Sequence, residues 1–203
     1  MGELDASKHV LRDSILAVRA RLTARDAEET AAVLAERALE LPELSEARTV
    51  AAYVSVGREP GTKPLLEALR AQGVRVLLPV LLPDNDLDWG VYEGEDRLVR
   101  AGRGLLEPDG PRLGPEAVTE ADAVLLPGLA VDGTGIRLGR GGGSYDRVLA
   151  RIGAAGARPA LAVLLYDAEL LGSVPAEPHD LPVAAAVTPS AVHRFTAPPP
   201  HHG

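Results

Sequence analysis

Residues 124–152 constrain this chain most, because an apolar run there gives way to a loop crowded with glycine and then to a helical stripe. The run Val124, Leu125, Leu126 stops at Pro127-Gly128. Gly133, Gly135, Gly139, Gly141, Gly142 and Gly143 follow. Tyr145, Val148, Leu149 and Ile152 then recur at i, i+3, i+4 and i+7, one face of a helix. Gly153 is placed to stop that helix in a left-handed conformation. The predicted unit is strand, glycine loop, helix.

Such a unit has a chemical use. Glycine lets the backbone approach a ligand closely, and the free N–H groups and dipole at a helix start favour an anion. Arg137 and Arg140 add two permanent cations suited to phosphate or carboxylate oxygens. Asp146 falls in the first helical turn, where a carboxylate is favoured and can hold a hard divalent cation. Two readings follow: a phosphate-binding loop with a magnesium ligand, or a flexible connection carrying surface arginines. The loop matches neither common nucleotide fingerprint. It lacks the lysine followed by Ser/Thr of a P-loop, and it lacks G-x-G-x-x-G with an acidic residue about 20 positions on.

Around this centre, Ser7 is predicted to cap a first helix with Leu11, Ile15, Val18 and Leu22 along one face. Lys8 and Arg12, at i and i+4, form one basic patch, which is either a ligand contact or a solvated face. Thr23 with Asp26 predicts a capping box and a second helix to about Leu41, with Val33, Leu34 and Leu41 on its apolar face. Residues 48–56 read as a buried strand ending in the turn 57–61. Ligands bind just past the carboxyl ends of strands in open parallel sheets, so Glu59 is either a substrate contact or a plain turn residue. Thr62 is predicted to cap a helix closed by Gly73; residues 74–80 form the next strand and 87–92 an edge hairpin, with Trp89 as packing. Residues 100–115 read as a long surface loop, 159–165 as a buried strand, 167–171 as a short helical piece and 183–187 as a last strand. His179-Asp180 sits in a proline-rich loop able to supply a metal ligand or a group supporting one. Strands alternating with helices predict a three-layer α/β fold, a mostly parallel central sheet with helices on both faces. We expect a single domain over residues 1–195 and a disordered tail over 196–203, in which a metal role for His201-His202 is not expected.

Composition narrows the function. The formal net charge of −8 argues against nucleic-acid or membrane-surface partners, both of which need a basic face, while leaving room for a local basic pocket. Aromatic residues are only 3%, so the core must be aliphatic. Without cysteine there is no disulfide, thiolate metal site or cysteine nucleophile. The N-terminus lacks the apolar core of a signal peptide. No apolar run reaches the ~20 residues needed to cross a bilayer, so a cytoplasmic protein is expected.

Several segments together resemble the 5-formyltetrahydrofolate cyclo-ligase (methenyltetrahydrofolate synthetase) family. The most specific is L-P-G-L-A-V-D-G-T-G-I-R-L-G-R-G-G-G-S-Y-D-R over residues 126–147. Supporting it are K-x-x-L-R at 8–12, Y-V-S-V-G-R-E-P-G-T at 53–62, L-L-E-P at 105–108 and P-H-D at 178–180. The resemblance implies an enzyme that uses ATP and Mg2+ to convert 5-formyltetrahydrofolate into 5,10-methenyltetrahydrofolate, releasing ADP and phosphate. It implies that Lys8, His9, Val10, Leu11 and Arg12 meet ATP, as do Arg137, Leu138, Gly139, Arg140, Gly141, Gly142, Gly143, Ser144 and Tyr145. Val54, Glu59 and residues 140–144 are implied to face the folate, Arg140 and Arg12 to act in catalysis, and Asp146 and Asp180 to hold magnesium. Small molecules are the implied partners, and a monomer is expected. Three positions depart from the family pattern: Ser144 where many relatives have a first tyrosine, Ala184 in place of a carboxylate, and Leu105-Leu106 where some have tryptophan. The Ser144 and Ala184 departures keep open a non-catalytic folate- or nucleotide-binding relative. A phosphosugar isomerase is the remaining alternative, on fold analogy alone.

Overall fold

The computed structural model describes residues 2–178 and 180–196. Helix α1 (Gly2–Arg19) comes first, with Glu3 and Asp5 in its first turn and Arg19 in its last, charges that suit the helix dipole. Ser7 lies inside it rather than at its cap, because the helix already starts at Gly2. Helix α2 (Ala24–Ala38) does begin in a capping box: Thr23 Oγ1 accepts from the Asp26 N–H at 3.1 Å, and the Asp26 carboxylate accepts from the Thr23 N–H at 3.0 Å. It ends before Leu41, which instead leads into the single turn α3 (Pro42–Ser45). Leu34 and Leu41 are buried, whereas Val33 and Val18 are exposed.

Strand β1 (Thr49–Ala51) is followed by α4 (Lys63–Ala71), β2 (Arg75–Leu81) and β3 (Leu87–Val91). Strand β1 is shorter than the apolar run suggests. Beyond Ala52 the chain closes a loop in which Ser55 N–H donates to Thr62 Oγ1 at 2.9 Å and Thr62 N–H donates to Ser55 Oγ at 3.1 Å. That use of the hydroxyl leaves Thr62 without a capping bond to α4. Gly73, with φ of +82°, follows α4 as expected. The stretch predicted as an irregular loop folds in part into a hairpin, β4 (Leu98–Arg100) and β5 (Leu106–Pro108), before a 3-10 segment at Pro115–Glu120.

Strand β6 (Ala123–Leu126) leads into a short pair, β7 (Ala130–Asp132) and β8 (Arg137–Leu138), and only then into the loop and α5 (Ser144–Ala154). Gly153 lies within α5; the helix stops at Gly156, with φ of +68° and the Ala157 N–H bonded back to Ile152 O. Strands β9 (Ala160–Leu164), β10 (Leu170–Leu171), β11 (Ala185–Val187) and β12 (Val192–Arg194) complete the described chain. Between β9 and β10 the short helical piece is a 3-10 turn, Asp167–Glu169.

The main sheet runs β12-β11-β9-β6-β1-β2-β3. Its five inner strands are parallel, with antiparallel β12 and β3 at the edges. Alternation puts Val50, Leu78, Leu125, Leu164 and Val187 against α2, α3 and α4 on one face. Ala51, Leu77, Val124, Val163 and Ala186 meet α5, the 3-10 segment and Trp89 on the other. Helices thus cover both faces, as the alternating pattern predicts. The core is aliphatic apart from Trp89 and a few tyrosines, each large side chain contributing about 1.5–3 kcal/mol of burial. Helix α1 stands apart from these layers. Its Ile15 packs on Leu129, Ala130, Leu138 and Val174, the apolar face of the small sheet β10-β7-β8, which the sequence pattern did not reveal. The expected tail falls almost wholly on residues 197–203, outside those described, and so does His179.

Candidate active site

From β1 the chain proceeds outward to β2, and from β6 outward to β9 on the opposite side, so the segments leaving β1 and β6 diverge at the carboxyl ends of neighbouring strands. A crevice opens at such a switch point. It holds a cavity of about 820 Å³, within the ~300–1,000 Å³ range of small-molecule sites. Both of the diverging segments line it, together with α1, the β2–β3 region, the β4–β5 hairpin and the loop before β11.

Helix α1 delivers Lys8 and Arg12 to the cavity because they are one turn apart. Lys8 Nζ donates to Glu177 at 2.9 Å and lies 3.3 Å from Asp180 Oδ2. Burial works to lower the Lys8 ammonium, but the hydrogen bond to Glu177 and the charge of Asp180 outweigh it, and the shift is upward. Arg12 Nε donates to Gly139 O at 2.9 Å, tying the helix to the glycine loop. His9, Val10 and Leu11 do not line the cavity, whereas Lys8 and Arg12 on either side of them do. The helical rotation of about 100° per residue turns them away. His9 and Val10 face solvent, with His9 3.4 Å from Asp13, and Leu11 packs beside Ile15.

In β8, just ahead of the loop before α5, Arg137 Nη1 donates to Pro127 O at 2.7 Å. A side chain at Gly139 would come within 2.9 Å of that guanidinium, and one at Gly128 within 3.3 Å of its stem, so both glycines make room for it. Burial lowers the Arg137 guanidinium from its ordinary value, with Asp146 opposing the shift. Gly141 and Gly143 take φ of +88° and +76°. Gly143 is the N-cap of α5 and offers no side-chain cap, which leaves the first-turn N–H groups for a ligand. Arg140 Nη1 reaches across to Glu59 Oε1 at 2.9 Å, while Glu59 Oε2 accepts from the Val56 N–H at 2.8 Å. Val54, Leu138, Gly142 and Ser144 also face the cavity. The Tyr145 hydroxyl is buried without a hydrogen-bond partner, and burial pushes this phenol, like that of Tyr53, upward.

Asp146, exposed in the first turn of α5, and Asp180 line the same cavity. Asp180 Oδ2 also accepts from the Glu177 N–H at 2.8 Å. No group of three or more His, Asp or Glu is assembled for a metal among the described residues. Two carboxylates are nonetheless the number that suits magnesium, which takes one or two from a protein and fills its remaining positions with water and substrate phosphate oxygens. The donor set therefore fits.

The pocket is bipolar, with five basic and five acidic side chains on its wall. Reasoning from the sequence missed Asp5 and Glu177, which helical spacing from Lys8 and the proline-rich loop around Asp180 could have signalled. It also missed Tyr53, Leu81 and Leu87 as parts of one wall, for which no local signal exists, whereas Arg103, Leu105 and Leu106 fall in the long loop over 100–115, whose length is itself a functional signal.

The 5-formyltetrahydrofolate cyclo-ligase family matches residues 4–189. The 5-formyltetrahydrofolate cyclo-ligase of Mycolicibacterium smegmatis is 48% identical over 147 residues, 70% of this chain and 74% of that protein. The enzyme of the same name from Escherichia coli K12 is 34% identical over 176 residues, 86% and 96% of the two chains. Among solved structures, Aquifex aeolicus 5,10-methenyltetrahydrofolate synthetase superposes with a TM-score of 0.77 at 26% identity, covering 96% of this chain and 98% of that one. A synthetase of the same name from Mycoplasma pneumoniae shares the fold, with a TM-score of 0.68 at 18% identity, covering 89% and 97%. With the glycine loop, the facing carboxylate and the α/β frame all present, the chain belongs to the 5-formyltetrahydrofolate cyclo-ligase family of enzymes.

Proposed function

We propose that the chain converts 5-formyltetrahydrofolate and ATP into 5,10-methenyltetrahydrofolate, ADP and phosphate. The formyl oxygen attacks the γ-phosphorus and the bond to the bridging oxygen of ADP breaks. The N10 nitrogen then attacks the activated carbon and loses its proton, and the C–O bond breaks to release phosphate. One observation carries this reading: Arg140 of the glycine loop and Glu59 of the β1 turn meet at 2.9 Å inside one cavity. This supports a phosphate-binding role for Arg140 beside an acceptor role for Glu59 toward the pterin's paired N–H donors, as joining phosphoryl donor and formyl acceptor requires.

The chain's own groups act by position and charge. The α5 N-terminus, Arg140, Arg12 and Lys8 bind the phosphate oxygens, and Arg140, beside the Glu59 carboxylate that takes the pterin, stands where charge develops on the transferring group. Val54 and Glu59 orient the pterin. Tyr145, whose hydroxyl is unpartnered, donates to a polar atom of the bound ligand. Asp146 and Asp180 would hold magnesium, which when bound neutralises phosphate charge. No nucleophilic side chain is required, in keeping with a chain free of cysteine.

The test is formation of the methenyl product's near-ultraviolet band with ATP, magnesium and 5-formyltetrahydrofolate, beside controls lacking ATP or treated with a chelator. Product only in the complete mixture is expected, with Arg140→Ala and Asp146→Ala folded but without turnover. Tight ligand binding with no product would replace this reading with the non-catalytic relative.

A further inference from the structure

The order of groups across the cavity identifies one more subsite. The glycine loop joins β8 to α5 on the β6 side, Glu59 follows β1, and beyond them on the β2–β3 side lie Leu81, Leu87, Leu105 and Leu106. The β4–β5 hairpin is fixed there by the Glu107 carboxylate, which accepts from the Leu81 N–H at 3.0 Å. At its tip, lining the same cavity, stands Arg103.

Arg103 differs from the other cations of the wall. Lys8 and Arg140 face carboxylates, and Arg12 and Arg137 bond carbonyls around the glycine loop. Arg103 makes one long contact, 3.3 Å from Nη1 to Asn85 Oδ1, with a neutral amide. The acidic neighbours of Asn85 are already engaged by α5: Asp84 lies 3.6 Å from Arg147, and Asp86 lies 2.6 Å from Arg151. The guanidinium therefore keeps its full charge and most of its five donors. Backbone conformation marks the same pair. Among the described residues Asn85, with φ of 66°, and Arg103, with φ of 61°, are the two non-glycine residues in the left-handed region, and they are bonded to each other. Strain kept at Arg103, which lines the cavity, points to function.

We propose that Arg103 binds a carboxylate of the substrate's glutamate tail. This rests on the folate reading above and completes it. Glu59 takes the pterin, the four leucines cover the aryl ring, and Arg103 closes the far end, so the wall repeats the substrate's own sequence of polar ring, apolar ring and anion. The long side chain on an exposed hairpin tip suits an anion that extends out of the cavity, including a tail lengthened by further glutamates.

The experiment compares wild type, Arg103→Ala and Arg103→Gly on two substrates, 5-formyltetrahydrofolate and the glutamate-free 5-formyltetrahydropteroate, with calorimetric binding of each alongside turnover. Glycine takes the left-handed conformation freely, so Arg103→Gly removes the charge without straining the hairpin. For 5-formyltetrahydrofolate, KM and Kd are expected to rise about fivefold to tenfold in both variants, the loss falling on KM rather than kcat, as for a charge-assisted contact screened at the surface. The wild-type KM is expected to rise with salt more steeply than that of either variant. On the pteroate all three proteins are expected to behave alike. Equal losses on both substrates, or none on either, would overturn the assignment. A wild type that binds 5-formyltetrahydrofolate without product would strike at the reaction alone, and a Kd difference confined to the glutamate-bearing ligand would still uphold Arg103.

Discussion

Arg140 Nη1 sits 2.9 Å from Glu59 Oε1, so the glycine loop and the β1 turn are latched together across the mouth of the cavity they both line. The pair is asymmetric: the arginine side chain is 49% exposed and the carboxylate 10%. If a ligand phosphate draws Arg140 away, Glu59 stays in place, held by the Val56 N–H. Releasing the arginine also frees the carboxylate oxygen for a second ligand.

Replacing Glu59 by glutamine is expected to move the two substrates in opposite directions. The KM for 5-formyltetrahydrofolate should rise about tenfold or more, because a charged acceptor becomes neutral. The KM for ATP should stay level or fall, because Arg140 is no longer held. Steady-state titration of each substrate decides it, and a parallel rise in both would mark Glu59 as merely structural.

Alanine at Gly141 and at Gly143 separates conformational strain from contact. Each position has positive φ, so each variant should lose about 1–2 kcal/mol of stability. Around Gly143 an added methyl meets nothing within 4 Å, whereas at Gly141 it comes within 3.2 Å of the Arg12 guanidinium. Denaturant unfolding should show similar losses, while the KM for ATP should rise several-fold more in Gly141→Ala. Equal KM values would mean that Arg12 is not a phosphate contact.

Asp132 links the β7–β8 turn to the segment entering the loop before β11. Its carboxylate accepts from Thr134 N–H at 2.9 Å, Thr134 Oγ1 at 2.6 Å, Ile136 N–H at 3.2 Å and Val174 N–H at 3.1 Å. Burial alone would raise this carboxyl, but the hydrogen bonds led by Thr134 outweigh it, and the shift is downward. The folded value lies below the unfolded one, so the contribution is full above the ordinary carboxylate range and is lost as pH falls through the folded value. Asp132→Asn should cost about 1–3 kcal/mol near neutrality, by facing an amide N–H2 toward donors. Its stability should also fall less than the wild type's below about pH 4. Urea unfolding at several pH values checks both; identical acid slopes would exclude the assignment.

Arg19 and Glu169 form a buried ion pair at 2.6 Å, with Arg19 Nη2 also donating to Gly128 O at 2.8 Å and the guanidinium 5.7 Å from the Tyr166 ring. Arg19→Met strands a buried carboxylate and should cost about 3–5 kcal/mol. The double variant Arg19→Met/Glu169→Leu should recover most of that loss. Unfolding free energies of Arg19→Met, Glu169→Leu and the double variant from denaturant titration test the coupling, and simple additivity of the two single losses would contradict it.

The sequence by itself determined the α/β layering, because periods of 2 and 3.6 in apolar residues record which face of each element is buried. It determined the capping box of Thr23 and Asp26, and the glycine loop with Arg137, Arg140 and Asp146, because these signals are local. Lys8 and Arg12 were legible as one patch for the same reason, their spacing of one helical turn. What only the tertiary structure decided depends on distant parts of the chain. The Arg140–Glu59 latch joins residues 81 positions apart, and Arg19 finds Glu169 150 positions away. The small sheet under α1 and the hairpin tip carrying Arg103 rest on short strands whose pairing has no periodic signature. Such contacts are settled by which surfaces remain to be covered once the main sheet has formed, and no window of sequence contains that information.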